Sequence, residues 1–270
     1  VHPDTADSLN SLALLYKKQG KYAEAEPLYE RALEVQEHLL GPVHPDAATS
    51  LNNLAMLYER QGKYAEAELL AMRALEIDKQ QLGSQHPSVT RSLNNLAMLY
   101  KKQGKYAEAE PLAKQALEIR NQMLGATHPD TAISMGTLAR LYISQTKYTE
   151  AEPLLQQAYT IFEQQLGAQH PHTATCLTDQ ALLYKMQSKY REAEQLCKRA
   201  LMIYEQSLGP DHPTTHVARQ NYVSAYAMRQ NMKATKPSQD SPRSYQQHKV
   251  TRQEARKKIA KKSRKDNRHR

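Results

Sequence analysis

Three sets of residues in this 270-residue chain are of kinds that do chemistry. Histidine precedes proline at His2, His44, His86, His128, His170 and His212, a constant interval of 42 residues, and imidazole is a common metal ligand. The phrase Gln-Gly-Lys-Tyr, beginning at Gln19, Gln61 and Gln103, sets glycine beside lysine as phosphate loops do. Glutamates alternate with alanine, as at Glu66 and Glu68, where paired carboxylates suggest acid and base. None of these assembles a reaction centre. A whole helical hairpin separates successive histidines, packed helices sit about 8–10 Å apart, and zinc ligands must lie within about 2.1 Å of the ion. The histidines therefore read as turn residues, and no metal or other cofactor is expected. Gln-Gly-Lys-Tyr follows a helix and lacks the glycine spacing of a phosphate loop. The glutamates fall on solvated helix faces, and no Ser-His-Asp or Cys-His constellation forms. The chain is not expected to be an enzyme.

What the interval does demand is a stack of like units, each burying its apolar face against its neighbours. The units run over about 3–41, 45–83, 87–125, 129–167 and 171–209, with a half-repeat at 213–229 expected to cap the array. Each reads as two helices. In the second unit, Pro45 suits a first helical turn and Asp46 complements the helix dipole. Leu51, Leu54, Ala55 and Tyr58 then recur on one stripe of helix A. Gly62 ends that helix, and helix B runs from Tyr64 to Gly83 with Ala67, Ala71 and Ala74 at close crossings. The tyrosines at Tyr16, Tyr58, Tyr100, Tyr142 and Tyr184 occupy one position and read as packing.

The order Leu51, Leu54, Ala55, Tyr58, Ala67, Ala74 resembles the tetratricopeptide repeat, whose ordinary unit is about 34 residues. The longer unit here, with Leu-Gly before His-Pro and the phrase Leu-Asn-Asn-Leu-Ala-x-Leu-Tyr, is similar to the subclass found in kinesin light chains, nephrocystin-3 and many bacterial repeat proteins. The resemblance spans about residues 1–229. It implies an all-α, right-handed α-α superhelix that serves as a protein-interaction scaffold or adaptor, with helix A lining the concave face. It also implies that Asn53 and Asn95 stand where kinesin light chains bind peptide backbone.

Offset from the core stripe, Thr49, Asn53, Met56 and Arg60 form a second stripe on helix A, matched by Asp7, Ser11, Leu14 and Lys18 and by Arg91, Asn95, Met98 and Lys102. Asparagine offers both donor and acceptor, methionine adapts to an apolar anchor, and the cations, with Lys17 and Lys101 beside them, attract carboxylates. The candidate site is thus Ser11, Lys18, Asn53, Met56, Arg60, Asn95, Met98 and Lys102, a groove for a short, extended, acidic peptide. Further along, Thr137, Asp179 and Asn221 take the asparagine position, and Asp179 is expected to repel an acidic ligand.

Charge is uneven. Residues 233–270 hold 14 Lys+Arg against 3 Asp+Glu, while the remainder is net −2, so the chain's +9 resides wholly in the tail. Residues 230–270 lose the repeat and read as a disordered basic segment. An alternative function follows, charge-driven contact with nucleic acid or an anionic surface; removing residues 233–270 would abolish such binding and spare peptide capture. No run approaches the roughly 18–20 apolar residues of a membrane span. The two cysteines, Cys176 and Cys197, suit a reducing, cytoplasmic setting as small buried hydrophobes. The opening at Val1 on a repeat boundary suggests the C-terminal part of a longer protein, one form of which is the sensor arm of a signalling NTPase.

Overall fold

The computed structural model describes residues 3–235. Among these, every regular element is an α-helix. Five hairpins follow one another: α1 (Pro3–Lys18) with α2 (Tyr22–Leu40), α3 (Pro45–Gln61) with α4 (Tyr64–Leu82), α5 (Pro87–Lys102) with α6 (Tyr106–Leu124), α7 (Pro129–Ser144) with α8 (Tyr148–Leu166), and α9 (Pro171–Met186) with α10 (Tyr190–Leu208). The last helix, α11 (Pro213–Thr235), has no helix B after it among the described residues. None of these helices is long and apolar enough to cross a membrane. Among the described residues no group of His, Cys, Asp and Glu could hold a metal ion.

The His-Pro dipeptide explains where each A helix starts. His44, His86, His128 and His170 are N-caps, each with its Nδ1 accepting the backbone N–H two residues on, at 3.1–3.2 Å. Proline follows at the first helical position, where its missing N–H costs nothing. The expected turn residues thus act as caps. At the A-to-B turn, Gly62 takes a left-handed φ of 79°, which glycine adopts without strain. The corresponding residues in the fourth and fifth hairpins are Thr146 and Ser188, at φ 60° and 61°.

Alanines with no exposed surface line the crossings, among them Ala67, Ala74, Ala109, Ala116, Ala151 and Ala158. Leucines from the next helix A fill the space left, so Leu54 and Leu57 of α3 pack with Ala13, Ala25 and Tyr29 of the first hairpin. Each hairpin therefore completes its core only against the next one. The tyrosine column is packing as expected: Lys21, Lys63, Lys105, Lys147 and Lys189 lie over Tyr16, Tyr58, Tyr100, Tyr142 and Tyr184, 4.7–5.7 Å from the ring centroids. Successive A helices approach one another more closely than successive B helices do, which makes the A helices the inner wall.

The chain divides into a unit over residues 1–225 and a second over 226–270. Of the second, only the end of α11 is described. The basic, disordered tail expected over 230–270 lies, from residue 236 on, outside the described residues. In α11, Tyr222 packs with Ala181, Ala193, Cys197 and Ala225, whereas Val223 is 58% exposed and Tyr226 is exposed too. The inward face of this helix is carried by its alanines, Ala218 and Ala225, together with Tyr222.

Candidate functional site

The paired asparagines divide their work. Asn52 is buried and its Nδ2 donates to Ser92 Oγ at 2.7 Å, while Asn94 donates likewise to Ser134 at 3.0 Å. This fixes the rotation of α3 and α5, so that Asn53 and Asn95, one residue on, turn toward the inner wall and are half-buried. Asn95 makes only a long contact of 3.5 Å, from its Nδ2 to Asn52 Oδ1. Its polar capacity is largely unspent.

Between α3 and α5 the inner wall opens into a cavity of about 220 Å³, lined by Ala55, Met56, Glu59, Arg60, Ala71, Asn95, Met98, Leu99 and Lys102. Five of the eight candidate residues meet there: Met56, Arg60, Asn95, Met98 and Lys102. Ala55 and Ala71 are small enough to leave the hollow, and the two methionines and Leu99 make its floor apolar. Ser11 and Lys18 sit exposed on α1, outside the cavity, and Asn53 lies beside it rather than in its lining. The best-formed part of the groove is therefore between the second and third repeats. Outside it, Arg91 Nη2 donates to Thr49 Oγ1 at 3.2 Å, so two members of the expected stripe are tied to each other.

One lining residue escaped the sequence reading. Glu59 stands in the column Lys17, Glu59, Lys101, and its carboxylate acts on both of those lysines. Lys17 and Lys101 are partly buried, and desolvation is the first cause that holds both below the ordinary lysine range, with Arg60 adding to the effect on Lys17 and Arg140 on Lys101. A poorly solvated ammonium beside other cations is stabilised by an incoming carboxylate. Glu59 partly offsets that field at its centre.

Two expectations need correction. Asp179 does not present a repelling charge to the groove: it is 8% exposed and forms an ion pair with Arg140, Nη1 to Oδ2 at 2.8 Å. Burial raises its pKa and Arg140 opposes the rise. Glu68 is not on a freely solvated face either, since it accepts from Gln103 at 3.0 Å and from Lys105 at 2.7 Å. Glu66 is exposed as expected.

The tetratricopeptide repeat profile matches residues 4–80, 60–122, 88–164 and 142–206. Solved structures agree with it. One is a Podosopora anserina protein described as a kinesin light chain with nearly identical TPR-like repeats: 30% identical, TM-score 0.59, covering 76% of this chain and 98% of that one. A second is BtubC (BKLC) from P. vanneervenii, 27% identical with a TM-score of 0.62 over 77% of this chain and 82% of that one. A Rap protein complexed with competence and sporulation factor is 17% identical, TM-score 0.62, over 82% and 64% of the two chains, a likeness of fold alone. No curated protein shows significant similarity.

Proposed function

The chain belongs to the tetratricopeptide repeat family, in its kinesin-light-chain type, and we propose that it is a non-catalytic adaptor whose inner groove holds a short extended segment of a partner protein. The observation that carries this reading is the cavity between α3 and α5, where an apolar floor, an underused amide and two exposed cations converge. Met56 and Met98 take an apolar anchor of the segment. Asn53 and Asn95 pair with its backbone, each offering one donor and one acceptor. Arg60 and Lys102, with Lys18 and Lys101 along the same wall, draw in carboxylates. Glu59 shapes the preference: an acid placed toward Arg60 or Lys102 gains, and one placed against Glu59 loses.

The test is binding of an acidic peptide with a single aliphatic or aromatic anchor, followed by calorimetry. Replacing both amides (Asn53→Ala with Asn95→Ala) should weaken binding by more than about tenfold, two lost hydrogen-bond pairs, while helicity is unchanged. Equal affinity would discard the site. The lowered pKa values of Lys17 and Lys101 add a sign: affinity should decline as pH rises into the alkaline range and these ammonium groups lose their protons.

A further inference from the structure

The B helices form the opposite wall, and there successive repeats meet along seams whose side chains correspond. In the first seam, Arg73 of α4 reaches Glu37 of α2 at 2.6 Å and the Pro42 carbonyl at 3.0 Å, a strap across the gap. In the fourth, Arg199 of α10 reaches Glu163 of α8 at 3.3 Å and lies over the Tyr159 ring, 5.5 Å from its centroid. Tyr159 and Leu196 pack against the cluster that contains Leu177, so an aromatic ring fills that seam from within.

In the third seam, between α6 and α8, the same positions are Asn121, Gln157 and Leu117. Among the described residues no guanidinium links α6 to α8 there and no ring fills the space; Arg120 of α6 turns instead to Asp130 and Ser134 of α7. A hollow of about 410 Å³ opens, lined by Leu117, Met135 and Leu154, with Lys114, Glu118, Asn121 and Gln157 around them. The second seam, with Lys79 and Gln115, also lacks the strap, but Leu75 is buried to 7% exposure there, whereas Leu117 is only half-buried.

We propose that this hollow on the outer wall is a second binding site, and that it takes the phenol ring of a tyrosine presented by a partner protein. The occupant is indicated by the molecule itself. One repeat further on, a tyrosine ring fills the corresponding space against a leucine equivalent to Met135 and another equivalent to Leu154. Methionine in place of leucine suits a ring arriving from outside, since its thioether is adaptable and makes favourable contacts with aromatic edges. The amides of Asn121 and Gln157 replace the Glu-Arg strap with groups that both donate and accept, as a phenol hydroxyl or the backbone beside it requires. Lys114, held by Glu110 at 2.7 Å, places a cation near the incoming ring as Arg199 does in the fourth seam.

The probe is 4-methylphenol, the tyrosine side chain alone, titrated into protein carrying methyl-labelled methionine. A saturable shift is expected at Met135, and it should persist when an excess of the acidic peptide occupies the inner wall at Met56 and Met98. Leu117→Tyr supplies the ring in cis and should remove the response. Because that substitution could disturb packing, a second variant, Asn121→Glu with Gln157→Arg, rebuilds the strap from outside and should weaken the response by about tenfold. Shifts confined to Met56 or Met98, no saturable shift up to the solubility of the phenol, or an undiminished response in both variants each overturn the proposal.

Discussion

The first three joints between repeats and the last two solve one packing problem with opposite chemistry. In the first, Asn10 donates to Ser50 at 2.8 Å and Ser50 to Gln36 at 2.6 Å. In the second, Asn52 donates to Ser92 and Ser92 to Asp78, at 2.7 and 2.6 Å. In the third, Asn94 and Arg120 both donate to Ser134, at 3.0 and 3.2 Å. At the fourth joint the three positions become Gly136, Cys176 and Phe162, and at the fifth Thr178, Ala218 and Tyr204. At the fourth joint the buried polar key has been replaced by apolar filling, and at the fifth the serine is an alanine and the Tyr204 hydroxyl pairs instead with Thr175 at 2.8 Å. Buried polar groups that bond one another are directional and specify one register, whereas apolar contacts tolerate adjustment. The inner wall changes with the core. Arg140 stands at the methionine position and Asp179 at the asparagine position, and they pair with each other, so the groups offered to a ligand between the second and third repeats are consumed internally between the fourth and fifth.

If the polar key is what holds the early joints, breaking it should cost far more than trimming its apolar counterpart. Ser92→Ala strands the Asp78 carboxyl, 1% exposed, together with the Asn52 amide. A loss of about 3 kcal/mol is expected, one hydrogen bond to a charged group plus the desolvation left uncompensated. Cys176→Ala at the same position removes a small hydrophobe with a weak bond to the Leu155 carbonyl and should cost about 1 kcal/mol. Urea midpoints of the two variants decide the matter, and similar shifts would dissolve the distinction between the two regions.

Much of this architecture is legible in the residues, and the part that is not has a physical reason. His-Pro and the turn glycines mark helix ends because capping and left-handed backbone are local requirements. The groove side of the Asn-Asn pair is legible too, since Leu51 and Leu54 fix the core face. The polar key is harder to see, because its members lie 40 and 14 residues apart on three helices. A signal did exist: the asparagine, the serine and the polar helix-B residue give way together after the third joint, at Gly136, Cys176 and Phe162, as groups that bond one another must. Glu59 was missed because a search for cations passes over the one carboxylate in the column Lys17, Glu59, Lys101.

A second way to sharpen the contrast is pH. Glu110 of α6 accepts from Lys147 and Gln145 of the next repeat, at 3.0 and 3.2 Å, and from Lys114 at 2.7 Å. The hydrogen bonds from Lys114 and Lys147 hold its carboxyl down at about 2, against an ordinary 4.5. A depressed carboxylate stabilises the fold fully above its unfolded pKa, and this contribution is lost as pH falls from about 4.5 through 2. Asp78 runs the other way. Burial raises its pKa, so the native state takes up its proton first and gains relative stability as pH falls. Glu110→Gln should therefore flatten the acid limb of the stability profile and lower its neutral plateau by the same amount, since the contribution missing at neutral pH is the one no longer lost in acid, and an unchanged limb would assign acid unfolding elsewhere.

The smallest expected effect concerns the turns. Gly104 and Thr146 occupy the same position, and their backbone bonds match: Gly104 N to Lys101 O at 3.1 Å and Tyr106 N to Gly104 O at 2.9 Å, against Thr146 N to Ile143 O at 3.1 Å and Tyr148 N to Thr146 O at 3.0 Å. What differs is a β-branched side chain at φ 60°, where a residue other than glycine pays about 1–2 kcal/mol. Thr146→Gly relieves that strain but gives the unfolded chain extra freedom worth about 0.4–1 kcal/mol. The net should be a stabilisation of about 0.5–1 kcal/mol, with Ser188→Gly similar and Gly104→Thr reversed in sign. Because the bonds at the turn are already made, the gain should appear as slower amide exchange in α7 and α8 and leave α3 and α5 unaltered. Uniform protection along the array would mean that the later hairpins are not a separately yielding region.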